Sequence, residues 1–345
     1  MVTVQQLDWL TVHSTVKAPV EAMKVLAFGI RPGFVFRSSG ALCNLKVNSG
    51  LTGRKSAFKA APMNYRHAFH AGNHGDVLKH VVLARVLSYM TAKDTPLAVL
   101  DAHAGIGRYD LAGIEAFKTG EWRGGIGALM KATHDPEVAA LLKPYLDIVR
   151  DLNADGSLRH YPGSPELISG MLRPTDRLLL NELHRDDFET VAARYGVLPN
   201  VQVSSVDAVT AVKAALPFLE RRGLVLVDPA FEAINETERV ALLVKQGLRR
   251  MAQACFVIWY PVTTPRFADE FCKALSFDGA KSVLRAELLV RPAMEDGGLA
   301  GSGVVVINPP WPLYSELQTL LPTLTQNLQE GQSGHSALHW IVEAA

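Results

Sequence analysis

The sequence predicts an α/β protein: a Rossmann-like sheet of seven strands with helices on both faces, an antiparallel last strand and an inserted helical subdomain. Three observations predict it. From Lys93 onward, apolar runs alternate with helical stretches, the pattern of parallel strands joined by helical crossovers. The last two runs lie only ten residues apart, with Gly297 and Gly298 between them. That is too short for a parallel crossover, so the seventh strand should run antiparallel to the sixth. More than 70 residues separate the first two runs, too many for one crossover, and they carry helical patterns such as "PEVAALLKPYLDIVRDL" (136–152).

Strands are expected, in order, at "LAVLDAH" (97–103), "RLLLNEL" (177–183), "VQVSSVD" (201–207), "GLVLVDP" (223–229), "CFVIWYP" (255–261), "KSVLRAELLV" (281–290) and "GSGVVVINP" (301–309). Helices fit between most pairs: "DDFETVAARYG" (186–196) with Gly196 as its stop, "AVTAVKAAL" (208–216), "ETERVALLVKQGLRRMA" (236–252) and "PRFADEFCKAL" (265–275). The helical insertion is expected at about 110–175.

Composition narrows the class. With 345 residues, 48% hydrophobic and 20% charged, the chain is long and apolar enough for a sizeable core. No apolar run reaches the ~18 residues of a membrane span. The cysteines Cys43, Cys255 and Cys272 are odd in number and lack CxxC spacing. That excludes a disulfide framework and a thiolate metal site, and fits a reducing, cytoplasmic setting.

A net charge of +1 hides an asymmetry. Residues 1–62 hold eight Lys/Arg and two Asp/Glu, leaving 27 and 32 in residues 63–345. Any RNA contact must therefore come from a local patch. Residues 1–62 lack periodicity and are acid-poor, as transit peptides are, but Asp8 and Glu21 come early and arginines are few. The segment is read as an N-terminal extension upstream of a working start at Met63, with the organised domain at 63–345.

Open α/β sheets bind ligands beyond the carboxyl ends of their parallel strands. Acids stand at the ends of the first four strands here: Asp101, Glu182, Asp207 and Asp228. Five αβ units and an antiparallel last strand resemble the Rossmann-like fold of S-adenosylmethionine (SAM)-dependent methyltransferases. In that frame Asp101 faces the donor's ammonium, Glu182 accepts from ribose hydroxyls and Asp207 accepts from the donor adenine's amino group. In "LDAHAGIG" (100–107), Gly105 and Gly107 allow a tight turn and close backbone approach to a ligand. The missing third glycine argues against a dinucleotide. "YPGSP" (161–165) reads as a helix start with Ser164 as N-cap and Pro at the first helical position.

Two tetrapeptides compete for the chemistry. "DPAF" (228–231) and "NPPW" (308–311) both approach Asp/Asn-Pro-Pro-aromatic, the pattern enzymes use to methylate an amino group conjugated to a ring or carbonyl. NPPW has the better spelling. An antiparallel seventh strand, however, ends on the side away from the donor. DPAF is therefore taken as the active motif, and Asn308 and Trp311 as a structural strand exit.

"NYRHAFHAGNHGDVLKH" (64–80) has histidines at spacings of three, four and six, without HExxH or a comparable metal pattern. It reads either as a nucleic-acid segment, with Tyr65 for stacking and Arg66 and Lys79 for phosphate, or as a capped helix from about Gly75 with buried rings.

"YRHAFHAGNHGDVLKH", "LDAHAGIGRY", "YPGSP", "ELH", "LVDPAFE", "WYPV" and "SGVVVINPPW" together resemble the RlmJ family of bacterial 23S ribosomal RNA adenine-N6 methyltransferases, across about residues 63–345. The resemblance implies SAM contacts from His80, His103, Ser164, Glu182, Asp207 and Ala208. It implies Asp228 as the catalytic residue, and Tyr65, His67 and Lys79 on the substrate side. It also implies an inserted helical subdomain and a monomer acting on 23S rRNA. The need for a flipped base suggests accessible RNA before full ribosome assembly, and the absence of a metal-ligand pattern predicts no metal. The family motif is DPPY, so Ala230 and Phe231 depart from it.

On this reading the Asp228 carboxylate and the Pro229 carbonyl accept hydrogen bonds from the adenine N6 amino group, and Phe231 stacks on the base. Other readings are a DNA adenine-N6 or protein amide methyltransferase, a SAM-binding RNA chaperone with little turnover, and a metal-dependent hydrolase using the histidines. A DNA enzyme usually carries a target-recognition segment that is not evident here, and an amide methyltransferase needs a working NPPW.

Overall fold

The computed structural model describes residues 65–343 apart from 265 and 296. The expectations for residues 1–62 and for Cys43 lie outside the described residues. The first long element is α1 (His74–Thr91), started by Asn73, whose side chain accepts from the Asp76 N–H at 3.0 Å. Val, Leu and Ala fill eight of the 18 positions of α1, and the helix is buried on nearly every side, Asp76, Lys79 and His80 included.

The strand β1 (Ala98–Asp101) follows, then β2 (Arg108–Asp110), α2 (Ile114–Thr119), α3 (Ile126–Lys131), α4 (Pro136–Asp151), β3 (His160–Pro162) and α5 (Ser164–Met171). The chain then alternates: β4 (Arg177–Asn181), α6 (Arg185–Tyr195), β5 (Val201–Ser204), α7 (Ala208–Ala215), β6 (Gly223–Val227), α8 (Glu236–Arg250), β7 (Cys255–Val262) and α9 (Phe267–Ala274). It closes with β8 (Val283–Leu289), β9 (Gly301–Ile307), α10 (Leu313–Leu328) and β10 (His335–Val342).

The main sheet has the order β10-β8-β9-β7-β6-β1-β4-β5. The pairs from β5 to β7 are parallel. β9 inserts between β7 and β8, antiparallel to both. After β1 the chain builds outward through β4 and β5, then returns to β6 on the other side of β1. The crevice between the carboxyl ends of β1 and β6 is therefore the topological switch point, where ligands bind in such sheets.

Successive strand residues feed opposite faces, the period-2 rule of strands. Val99, Leu224, Leu226, Val257 and Val304 pack into one core with α1, α4, α5 and α10. Leu100, Val225, Val227, Ile258 and Val305 pack into the other with α7, α8 and α9.

The strand count needs correction: among the described residues the main sheet has eight strands, and β2 and β3 form a separate two-stranded ribbon. All seven expected strands are present. The eighth, β10, pairs antiparallel with β8 at the sheet edge. Its residues are half-buried or exposed along its length, so it writes no continuous apolar run.

Candidate active site

Asp228 leaves the carboxyl end of β6. Its carboxylate is ion-paired with the Lys79 ammonium of α1, which also donates to Asp76 Oδ1 at 2.7 Å. Asp76 Oδ2 accepts from the Gly72 N–H at 2.8 Å and from His67 Nε2 at 2.9 Å. That fixes the tautomer, so His67 Nδ1 accepts from the Tyr65 hydroxyl at 2.8 Å. Tyr65 in turn stacks on His70, with centroids 5.6 Å apart and planes 10° apart. One connected set of polar contacts thus runs from the strand-end carboxylate to the start of the described chain.

Burial alone would neutralise these charges, but their mutual attraction outweighs it. Burial opposes the Lys79 charge, yet Asp228 and Asp76 hold its pKa above the ordinary lysine range. Burial opposes the Asp76 charge, yet His67 and Lys79 hold it well below the usual carboxylate range.

Lys79 as a surface cation for phosphate is corrected here: its side chain is only 4% exposed and both neighbouring carboxylates claim it. The histidines go separate ways. His67 meets Asp76, His70 meets Glu121 at 3.0 Å, and His80 meets Tyr161 at 2.7 Å. Among the described residues no group of three or more potential ligands has the geometry of a metal site.

Lys79 and Asp228 line a cavity of about 220 Å³ together with Tyr65, His67, Phe231 and Trp259. Phe231 has φ +51°, rare for a bulky residue. Aromatic packing holds it there: Trp259, Phe267 and Phe271 meet it edge-on at 6.0, 6.0 and 5.7 Å. Pro229 is buried beside it and Ala230 half-buried. Asp76, Trp259 and Phe271 were given no role from the sequence, although Trp259 opens the WYPV motif. Asp76 was detectable from its place three residues after the capping Asn73.

The remaining strand-end residues surround the switch point. Asp101 is fully buried; Oδ1 accepts from the His103 N–H at 3.2 Å and Oδ2 has no partner. Burial pushes its pKa up to about 7. Burial lowers His103 to about 4, and its neutral Nδ1 accepts from the Asp228 N–H at 3.3 Å. Both Glu182 oxygens already accept from backbone, Gly105 N–H and His184 N–H, each at 2.7 Å, and burial raises its pKa. Asp207 caps α7 through the Val209 and Thr210 N–H groups and pairs with Arg239. Ala208 is the first residue of that helix.

Gly105 and Gly107 have φ of +60° and +82°. A Cβ at these positions would lie 2.5 Å from the Tyr109 hydroxyl and 2.4 Å from the Tyr195 ring. The glycines are thus required by neighbouring aromatic side chains as well as by the turn. Ser164 is also corrected: Gly163 is the N-cap, Ser164 the first helical residue and Pro165 the second. Extended backbone at Gly163 places the helix start one residue earlier.

His80 stacks on Tyr161 at 5.6 Å, is kept neutral by burial with a pKa of about 3, and its Nε2 has no partner. Two buried polar atoms without partners among the described residues, Asp101 Oδ2 and His80 Nε2, are what a site for a polar ligand presents. Glu182 and Asp207 stand at the adjacent strand ends.

The NPPW corner differs at every point. Asn308 has φ +51°; its Oδ1 accepts from the Lys281 N–H at 2.9 Å, and its amide donates to Ala252 O and Ala254 O at 2.8 and 2.9 Å. Ile307 pairs with Phe256, so this corner lies at the amino end of β7. Trp311 is 79% exposed.

A doubly wound sheet with this antiparallel insertion and these strand-end acids defines a Rossmann-like, SAM-dependent methyltransferase. The family described as "Ribosomal RNA large subunit methyltransferase D, RlmJ" matches residues 94–342, and the chain belongs to that family. It is 40% identical over 280 residues to "Ribosomal RNA large subunit methyltransferase J" of Haemophilus influenzae, covering 81% of this chain and 99% of the relative. It is 37% identical, with the same coverage, to the protein so described in Escherichia coli. A crystal structure of a Legionella pneumophila protein aligns with TM-score 0.70 at 31% identity, over 78% of this chain and 98% of that one.

Proposed function

We propose that this chain transfers the methyl group of SAM to the N6 amino group of an adenine in 23S rRNA. The observation that carries the reading is the cavity where Asp228, at the carboxyl end of a parallel strand, shares a wall with Phe231. The relatives, ribosomal RNA large subunit methyltransferases, supply the RNA class.

Asp101 would receive the ammonium of SAM, Glu182 its ribose, and Asp207 with the Ala208 backbone its adenine. His80, His103, Ser164 and the Gly105 turn complete that wall. SAM supplies an electrophilic methyl group on a sulfonium. The chain's own residues act on the acceptor. The N6 lone pair is delocalised into the ring, so the amine is a poor nucleophile. Accepting its two N–H groups at the Asp228 carboxylate and the Pro229 carbonyl favours a pyramidal, more reactive nitrogen. Phe231 offers its face to the base, worth roughly 1–3 kcal/mol. Holding the nitrogen in line with the methyl carbon is the larger contribution. Once methylated, the nitrogen gives up a proton to Asp228 or to water.

The base must leave its stack to enter, which favours accessible 23S rRNA before full assembly. The protein is proposed to act there as a monomer in the cytoplasm. Among the described residues no helix is long and apolar enough to cross a membrane. The 63–345 segment is proposed as the methyltransferase domain, with its helical insertion supporting the donor site through α5.

The test is to incubate the protein with SAM and deproteinised, unmodified 23S RNA, then digest and look for N6-methyladenosine. Product with DNA or a peptide but not with RNA would overturn the reading. Binding without product would favour a chaperone.

A further inference from the structure

A lysine ammonium carries three N–H donors. In Lys79, Asp76 Oδ1 takes one and Asp228 Oδ2 takes another. The third has no protein acceptor among the described residues. This ammonium is nearly fully buried, where an unmet donor is costly. It lines the same cavity as Asp228, Phe231 and Trp259. The cavity wall therefore presents a carboxylate acceptor and an ammonium donor side by side, already bonded to each other.

That arrangement complements one kind of heterocycle edge: an exocyclic amino group next to an unprotonated ring nitrogen. We infer that the third N–H of Lys79 donates to the ring nitrogen flanking the amino group of the target base, while Asp228 accepts from the amino group itself. This rests on the adenine reading proposed above and gives it a specificity element. Adenine offers the required edge twice, as N6 with N1 and as N6 with N7. Guanine places O6 where adenine has its amino group. That oxygen would face the Asp228 carboxylate on either edge, and on the N1 edge guanine's N1–H would face the ammonium. A site built on paired hydrogen bonds rejects such a mismatch strongly, because its own buried groups are left unpaired.

Asp76 is the positioning residue of this device. It occupies one Lys79 donor, and its other oxygen is held by the Gly72 N–H and His67. The ammonium cannot turn without breaking that cluster, so its remaining donor has a fixed direction.

The experiment uses the full chain and a short RNA containing the acceptor adenine, located by mapping the methylated product. Three versions carry adenosine, 1-deazaadenosine or 7-deazaadenosine at that position. One deaza analogue is expected to lose about 10- to 100-fold in kcat/KM, the effect of one charge-assisted hydrogen bond, while the other stays near adenosine. The sensitive analogue identifies the edge that is read. In Lys79→Met the difference between adenosine and that analogue should vanish, as a double-mutant cycle requires for two groups in contact.

Binding of the same three RNAs with S-adenosylhomocysteine present repeats the comparison if the variant turns over too slowly. Lys79→Gln replaces Lys79→Met if the latter does not fold. Equal methylation of both analogues and adenosine by the unaltered protein overturns the inference. So does a selective penalty that survives in the Lys79 variant. Failure on the adenosine RNA itself would instead count against the proposed function.

Discussion

The DPAF and NPPW corners share a pattern and a backbone strain, yet their surroundings differ. Each leaves a sheet strand, and each holds a non-glycine residue at φ +51°, Phe231 in one and Asn308 in the other. Left-handed backbone costs an L-residue roughly 1–2 kcal/mol. At Asn308 three hydrogen bonds to backbone offset it, and they consume the amide completely. At Phe231 packing against three aromatic rings offsets it, and the ring still lines the cavity. The comparison teaches that a polar-Pro-x-aromatic corner becomes a candidate catalytic site through the strand end it occupies. Strain at such a site is tolerated where surrounding packing over-determines it.

The most direct way to break the comparison is to exchange losses. Asp228→Ala should lower methyl transfer by about 10²–10⁴-fold, the range for a positioned group at the reacting atom, in a radiolabelled SAM assay. Asn308→Ala should leave kcat within a factor of two, and a larger loss in a folded protein would reverse the assignment of the two corners. Next in size, Phe231→Ala should lower kcat/KM by roughly 10- to 100-fold through lost stacking, whereas Trp311→Ala should change nothing measurable in the same assay.

A third test sharpens the difference from the donor side. Asp101 stands near pKa 7 because it is buried, so it is protonated below that pH and unable to attract an ammonium. SAM affinity, measured by calorimetry, should strengthen by up to about tenfold per pH unit on approaching pH 7 from below, then level off. Asp101→Asn should flatten this dependence. The sign for stability is opposite. The folded carboxyl holds its proton more tightly than the unfolded one, so ionising it as pH rises from the ordinary carboxylate range towards 7 removes stability. At pH 8 Asp101→Asn should therefore raise Tm while weakening SAM binding.

At the second corner, Asn308→Ala leaves Lys281, Ala252 and Ala254 without their partner and should lower stability by about 1–3 kcal/mol, read by denaturant melts. The smallest effect is expected from Ala230→Pro. It restores the family spelling and pre-organises the loop by about 0.4–1 kcal/mol if the backbone is compatible, so activity should change less than about fivefold.

Much of the fold was legible because its signals are local. Buried strands write apolar runs, and crossover lengths fix direction, so the antiparallel β9 followed from ten residues of spacing. β10 was not legible, because an edge strand with mixed exposure carries no continuous run. In the candidate site, the acids placed at strand ends, Asp101, Glu182, Asp207 and Asp228, were legible as positions. Asp76 escaped because its partners, His67 and Lys79, are brought to it by a turn and a helix rather than by a strand end.

The sequence by itself determined seven strands of the main sheet and the acids at their ends, since periodicity and loop length act over a few residues. Only the tertiary structure decided that Lys79 is a buried partner of Asp228 rather than a surface cation. It also decided that Phe231 is braced by three rings and that Gly105 and Gly107 make room for Tyr109 and Tyr195. These depend on which distant side chains share a low-dielectric space, and burial in that space sets the charge state and reach of each group.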